Sequence, residues 1–257
     1  MFNFINMQHL LKKWLGGVKQ RPVEEKAPAP AAKPLELISI HIPKTAGTSF
    51  RNTLRGVYGP QHVVRLDIGL VRQEVRVEEE LYGDPILPPY ARVIHGHFSY
   101  PLLQKNFRVA EDIPVITWLR DPVERVISNY FYLAKRLAEE LQEEKKGLNI
   151  LKKMQRSLLE YANFEPSQNR MSKFLEGLDL DDLFFVGIQE DYNNSLDRLA
   201  GLLGWQDYPV FHHNQTGSGY DGLVSLPERE QIRAWNSRDV ALYEKALEGV
   251  AKGKWTP

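Results

Sequence analysis

The segment Ile38–Phe50, ISIHIPKTAGTSF, holds the residue types that an anion site needs. An apolar run ends at Pro43, a small-residue turn carries Lys44, and a helix is expected to follow. Such a turn points several backbone N–H groups at one spot, where the helix dipole also favours negative charge. Gly47 allows the main chain to approach a ligand closely, and Ala46 belongs to the same run of backbone N–H groups. Thr45, Thr48 and Ser49 add hydroxyl donors, and Lys44 adds a mobile positive charge. The expected chemistry is binding of phosphate or sulfate. The plain alternative is a strand–helix turn in which Thr and Ser only cap the helix. The segment is not a Walker A motif, because Lys44 precedes Gly47 and no Gly-Lys-Ser/Thr triplet is present. An ATPase or a kinase-like phosphotransferase is therefore disfavoured. A second segment, VITWLRDPVERVISNYFYL, again reads strand, turn, helix. Arg120 ends the strand and is suited to a bidentate grip on phosphate, while Ser128 in the next helix offers a hydroxyl. Arg125 fits a ligand contact or, more simply, a salt bridge. Two anion grips at the carboxyl ends of parallel strands suit a nucleotide that carries phosphate at two separate positions.

HIPKTAGTSF and RDPVERVISNYFY resemble the two nucleotide-binding signatures of sulfotransferases that use 3′-phosphoadenylyl sulfate (PAPS). The likeness is to the carbohydrate branch that includes heparan sulfate 2-O-sulfotransferase. IHGHFSY and LFFVGIQEDYNNSLDRLAGLL agree in the same order, so that the resemblance spans roughly residues 37–250. It implies that Lys44, Thr45, Ala46, Gly47, Thr48 and Ser49 hold the 5′-phosphosulfate and that Arg120 and Ser128 hold the 3′-phosphate. It also implies that the loop 212–220, HHNQTGSGY, closes over the nucleotide, with Asn214 and Thr216 bonding phosphate or ribose. The acceptor it implies is a hydroxyl of a glycan or other alcohol, with PAPS as co-substrate. A non-catalytic nucleotide-binding module on the same fold is the remaining alternative.

His95-Gly96-His97 follows a strand candidate, and residues two apart on an extended backbone point the same way. Sulfuryl transfer to an alcohol needs a base for the hydroxyl proton, and imidazole suits that role near neutral pH. Lys44 is placed to neutralise charge on the departing phosphate. His97 is the preferred base, with His95 assisting, sharing the role or serving the structure. In the resembling enzymes a His-Gly-His stands at the base position. No metal is needed by this scheme, and no third ligand lies near the pair at zinc-site spacing. His212-His213 fits a loop lining better than catalysis. Arg51, Arg55, Arg65, Arg72, Arg76 and Arg92 suit either an acidic glycan or a solvated face. The loop 212–220 lacks the basic residues of the heparan enzyme, which weakens the case for a highly sulfated acceptor. Gln168, Asn169 and Arg170 head a helix that is a lesser candidate for the cleft.

These groups need a scaffold. Leu35–Ile42, Ala91–Ile94, Pro114–Leu119 and Leu183–Ile188 read as buried strands. Helices are expected over 50–57, 123–144, 148–163, 167–176, 192–203 and 227–250, with loop over 212–226. The charge runs Glu78–Glu80 and Glu139–Lys146 read as solvated helix faces. Strands alternating with helices predict an α/β, P-loop-like three-layer fold, a central parallel sheet flanked by helices.

The chain has 257 residues, no cysteine, and 33 basic against 33 acidic side chains. Without cysteine, thiolate nucleophiles, disulfides and iron–sulfur clusters are excluded, and a reducing cytoplasm is compatible. Zero net charge argues against a nucleic-acid partner. Residues 1–21 carry apolar and Lys-rich faces suited to weak membrane-surface contact or to packing on the body. A Pro/Ala linker follows, so the expected division is an arm over 1–34 and a sulfotransferase domain over 35–257. No signal peptide is expected, which points to a cytoplasmic enzyme, at most peripheral to a membrane.

Overall fold

A computed structural model describes residues 35–140, 156–211 and 222–257. The proposed arm, the end of the predicted 123–144 helix, the start of the 148–163 helix, and loop residues 212–221 lie outside the described residues. So do Asn214 and Thr216.

Four short runs rich in Ile, Val and Phe form the middle of the sheet: β1 (Leu37–Ile40), β5 (Val93–Gly96), β6 (Val115–Leu119) and β7 (Phe185–Ile188). Every residue in them is buried, as expected of parallel strands covered on both faces. Three strands were not expected from the sequence: β2 (Val63–Ile68), β3 (Val75–Val77) and β4 (Glu80–Leu81). The sheet order is β4-β3-β2-β5-β1-β6-β7. The pairs from β2 to β7 are parallel, and β2–β3 and β3–β4 are antiparallel. A mostly parallel seven-stranded sheet flanked by helices is thus a three-layer α/β fold, with an antiparallel edge added.

The Glu78–Glu80 run is not a helix face. It makes the β3–β4 turn, where Glu78 and Glu79 both take positive φ. The polar positions of β2 explain why that strand was hard to see. Val63, Val64, Leu66 and Ile68 are buried, but Arg65 and Asp67 are partly open.

Helix α1 (Gly47–Tyr58) buries Phe50, Leu54 and Tyr58 against the sheet. This is helical spacing on one face. Helix α2 is Tyr100–Asn106. Helix α3 (Pro122–Glu140) starts where Asp121 Oδ1 accepts from the N–H groups of Val123 and Glu124, at 2.9 and 3.0 Å. Its apolar side joins α4 (Leu158–Asn163) and α7 (Leu226–Trp235) in a second cluster, made by Val123, Val126, Ile127, Ala162, Val224 and Ile232. The predicted 167–176 helix shortens to α5 (Arg170–Phe174), and α6 (Tyr192–Leu203) matches its prediction. The expected single tail helix is two, α7 and α8 (Ser237–Ala251), because buried Asn236 breaks it. Asn236 Oδ1 accepts from Asn169 N–H, and Asn169 Oδ1 accepts from the N–H groups of Arg238 and Asp239. That reciprocal cap joins α5 to α8. No helix among the described residues is long and apolar enough to cross a membrane.

Candidate functional site

The strand order sets five strand tips side by side, and each contributes to one cavity of about 1040 Å³. From one end to the other, β2 brings Arg65, β5 brings His95 and His97, β1 brings His41 and the Lys44 turn, β6 brings Arg120, and β7 leads into Glu190. Apart from Arg65, which lies within β2 level with His95, they sit at or just beyond the carboxyl ends of parallel strands, the usual ligand side of such sheets.

The Lys44 turn has the backbone of an anion cradle. Lys44 and Ala46 both adopt positive φ, 74° and 67°, without being glycine. Such residues cost on the order of 1–2 kcal/mol each and turn successive N–H groups to one side. Helix α1 has no acidic residue in its first turn and no side-chain cap at Ala46, so its amino end keeps its positive potential. Lys44, Ala46, Gly47, Thr48 and Ser49 all line the cavity. Thr45 departs from the expectation for its hydroxyl. It is fully buried, and its Oγ1 donates to Ile42 O at 2.8 Å, holding the turn shut from inside. Lys44 Nζ lies 4.1 Å from the Tyr132 ring centroid. Burial, followed by the charge of Arg120, pulls the Lys44 pKa down to about 8.

Because β1 and β6 are bonded neighbours, the second grip meets the first. Arg120 Nη1 donates to Lys44 O at 3.3 Å. On its other side Arg120 Nε lies 4.0 Å from Glu190 Oε1. Glu190 is itself fixed by Asp121 N–H and by the Tyr243 hydroxyl, at 3.0 and 2.9 Å. Ser128 is almost fully buried and lines the same cavity. Arg125 does not reach the cavity. It is 1% exposed, and its Nη2 donates to Ser167 O. Gln168 bonds Asn163, and Arg170 lies over the Phe174 ring. Neither these two nor Asn169 lines the cavity.

Three histidine rings stack between the cradle and β2. His41, just past the end of β1, stacks on His95 (centroids 5.0 Å apart, 15° between planes) and lies tilted against His97 (4.4 Å, 30°). His41 was not singled out from the sequence. Its signal was its place directly before the Ile-Pro-Lys turn. Its neighbour Gly47 is glycine because a Cβ there would sit 1.8 Å from His41 Nε2. Burial, then His97 and His95, holds His41 well below the ordinary value of 6.5.

His95 and His97 differ in kind. His95 is 2% exposed, with Nδ1 2.9 Å from Ser39 Oγ. Burial takes its pKa to about 3. His97 is partly open to the cavity. A carbonyl only accepts, so His97 Nδ1–H donates to His41 O at 2.7 Å, which leaves Nε2 as the basic nitrogen. Burial lowers the His97 pKa, opposed by the Asp67 carboxylate, whose Oδ1 accepts from His97 N–H at 3.0 Å. The cavity therefore brings together the His97 imidazole, the Lys44 turn and the Arg120 guanidinium. Arg51 and Arg65 also line it.

No protein-family model matches the chain, and no curated protein matches it.

Proposed function

We propose that the chain transfers the sulfuryl group of PAPS to a hydroxyl of a glycan or small alcohol. The observation that carries this reading is the shared cavity of the Lys44 cradle, Arg120 and a neutral His97. The charges and donors of the two turns support this reading. The two non-glycine residues at positive φ and the uncapped amino end of α1 suit the 5′-phosphosulfate. Arg120, with Ser128, suits the 3′-phosphate.

The balance of atoms is simple. The acceptor oxygen forms a bond to sulfur, the bond from sulfur to the bridging phosphate oxygen breaks, and adenosine 3′,5′-bisphosphate leaves. His97 Nε2 takes the hydroxyl proton, a role worth on the order of 10²–10⁴ in rate. Lys44 and the α1 N–H groups meet the charge that grows on the leaving phosphate, where loss of one donor typically costs about 2.7–4 kcal/mol. A cytoplasmic location goes with this proposal, motivated by the absence of cysteine from the sequence.

Titration with adenosine 3′,5′-bisphosphate tests the reading. Micromolar binding, weakened by Lys44→Ala and by Arg120→Ala, is expected. Failure to bind, or binding indifferent to both substitutions, overturns it. Transfer of labelled sulfate from PAPS to a hydroxyl panel then separates an enzyme from a binding module. Magnesium-dependent ATP turnover would instead favour phosphoryl transfer.

A further inference from the structure

We propose that the acceptor wall of this cavity excludes polyanions, so that the hydroxyl compound it receives is uncharged, and that Glu78 and Glu79 of the β3–β4 turn set this selectivity. The inference rests on the sulfuryl-transfer reading, which makes the His97 side of the cavity the acceptor side.

An anionic glycan would need arginines on that side, and two line it: Arg51 from α1 and Arg65 from β2. Both are engaged by this chain's own carboxylates. Arg51 Nη2 donates to Glu78 Oε2 at 2.9 Å. Arg65 Nε donates to Asp67 Oδ2 at 2.8 Å, and Arg65 Nη1 donates to Glu79. Glu78 is not a loose counter-ion. Its Oε1 accepts from the Arg65 backbone N–H at 2.6 Å, and its own N–H donates to Arg65 O. One carboxylate thus ties the turn to β2 while reaching α1. Asp67 also accepts from the backbone of His97, so the same network orients the base.

Two guanidinium groups face three carboxylates here, a net charge of −1. The Glu79 side chain is 73% exposed and pairs with Arg65, which lines the cavity. A sulfated or carboxylated chain would have to displace these partners and then lie against them. Like charges brought together at an interface are a strong means of rejecting a partner. An uncharged polyol meets no such barrier, and the paired groups still offer it hydrogen bonds.

The test measures binding of a heparin-derived oligosaccharide, with adenosine 3′,5′-bisphosphate at saturation. Wild-type protein is compared with Glu78→Gln/Glu79→Gln and with Glu79→Gln alone. The expected result is little or no wild-type binding, a gain of about tenfold or more in the double variant, and a smaller gain in the single one. Adding Arg51→Ala and Arg65→Ala should cancel the gain. Wild-type binding that Arg51→Ala and Arg65→Ala abolish would overturn the inference. So would unchanged affinity in both Gln variants at an unchanged melting temperature. If the nucleotide itself does not bind, the sulfuryl-transfer reading fails separately. The same comparison in a Lys44→Ala/Arg120→Ala background then still reports on the wall.

Discussion

Gly47→Ala sets two effects against each other. Helix propensity favours Ala over Gly by at most about 1 kcal/mol. Gly47 is the first residue of α1 and has an ordinary helical backbone, so no φ penalty opposes the change. Packing does oppose it. The new Cβ would lie 1.8, 2.1 and 2.2 Å from three atoms of the His41 ring. Reaching an ordinary 3.4 Å contact from 1.8 Å demands a retreat of about 1.6 Å. The His41 ring has little freedom to supply it, since it stacks on His95 and packs against His97, with centroids 5.0 and 4.4 Å away. The turn or the stack must move instead. Overpacking of this kind costs about 1–3 kcal/mol, so against the full propensity gain the net loss is up to about 2 kcal/mol. For a chain of this size the melting temperature should fall by up to about 8 °C. A displacement above 1 Å at the cradle should also reduce turnover about 10²-fold. The assays are thermal unfolding, adenosine 3′,5′-bisphosphate titration and sulfate transfer. His41→Ala supplies the control, because in that background Gly47→Ala should lose most of its penalty. A variant as stable as wild type with full nucleotide affinity would refute the reasoning. An equal penalty in the His41→Ala background would refute it as well.

Nucleotide affinity should decline as pH rises through about 8, where Lys44 loses its proton, and Lys44→Arg should flatten that decline in an equilibrium titration. His97→Ala should lower turnover about 10²–10⁴-fold while leaving nucleotide affinity within about threefold, as read by single-turnover kinetics and titration. His41, His95 and His97 are all held below 6.5 when folded, so the unfolded chain binds more protons under acid conditions. Their contribution is therefore present above pH 6.5 and is lost as pH falls below it. Melting temperatures from pH 7 to pH 4 should show this, with a shallower slope for His95→Gln. Thr45→Val should cost about 0.5–1.5 kcal/mol in denaturant unfolding by removing the bond to Ile42 O, with nucleotide affinity unchanged.

The buried strands were legible because short Ile-, Val- and Phe-rich runs, two of them closed by Pro43 and Arg120, have few other uses. The antiparallel edge was not, since Arg65 and Asp67 interrupt β2 with the polar pattern of an exposed segment. Arg65 lines the cavity, and Asp67 bonds Arg65 and the backbone of His97, partnerships that only the fold makes visible. The same holds for Glu78 and Glu79. A run of glutamates looks like a solvated face, and its partners Arg51 and Arg65 are distant in sequence. Asn236 breaks the tail helix for a similar reason, as its cap partner Asn169 belongs to another element. Arg120 and Lys44 could be paired in thought because each ends a strand. Their contact follows from a sheet order that no single segment encodes.

Sequence spacing treats His95 and His97 as equals, and burial separates them. A base that must hold an alcohol proton works best with a pKa near the working pH. With a pKa of about 3, His95 would give up such a proton too readily, and its Nδ1 already faces Ser39. His97 lies just past the strand end, where the Asp67 carboxylate counteracts desolvation. Its Nδ1–H is committed to the backbone of His41, so its free nitrogen is fixed in direction. His41 in turn rests on Gly47, the first residue of the cradle helix. The proposed base and the proposed anion site thus share one rigid contact through a ring that itself remains neutral. A shift of the cradle on binding a nucleotide would be felt at His97 without any change of charge between them.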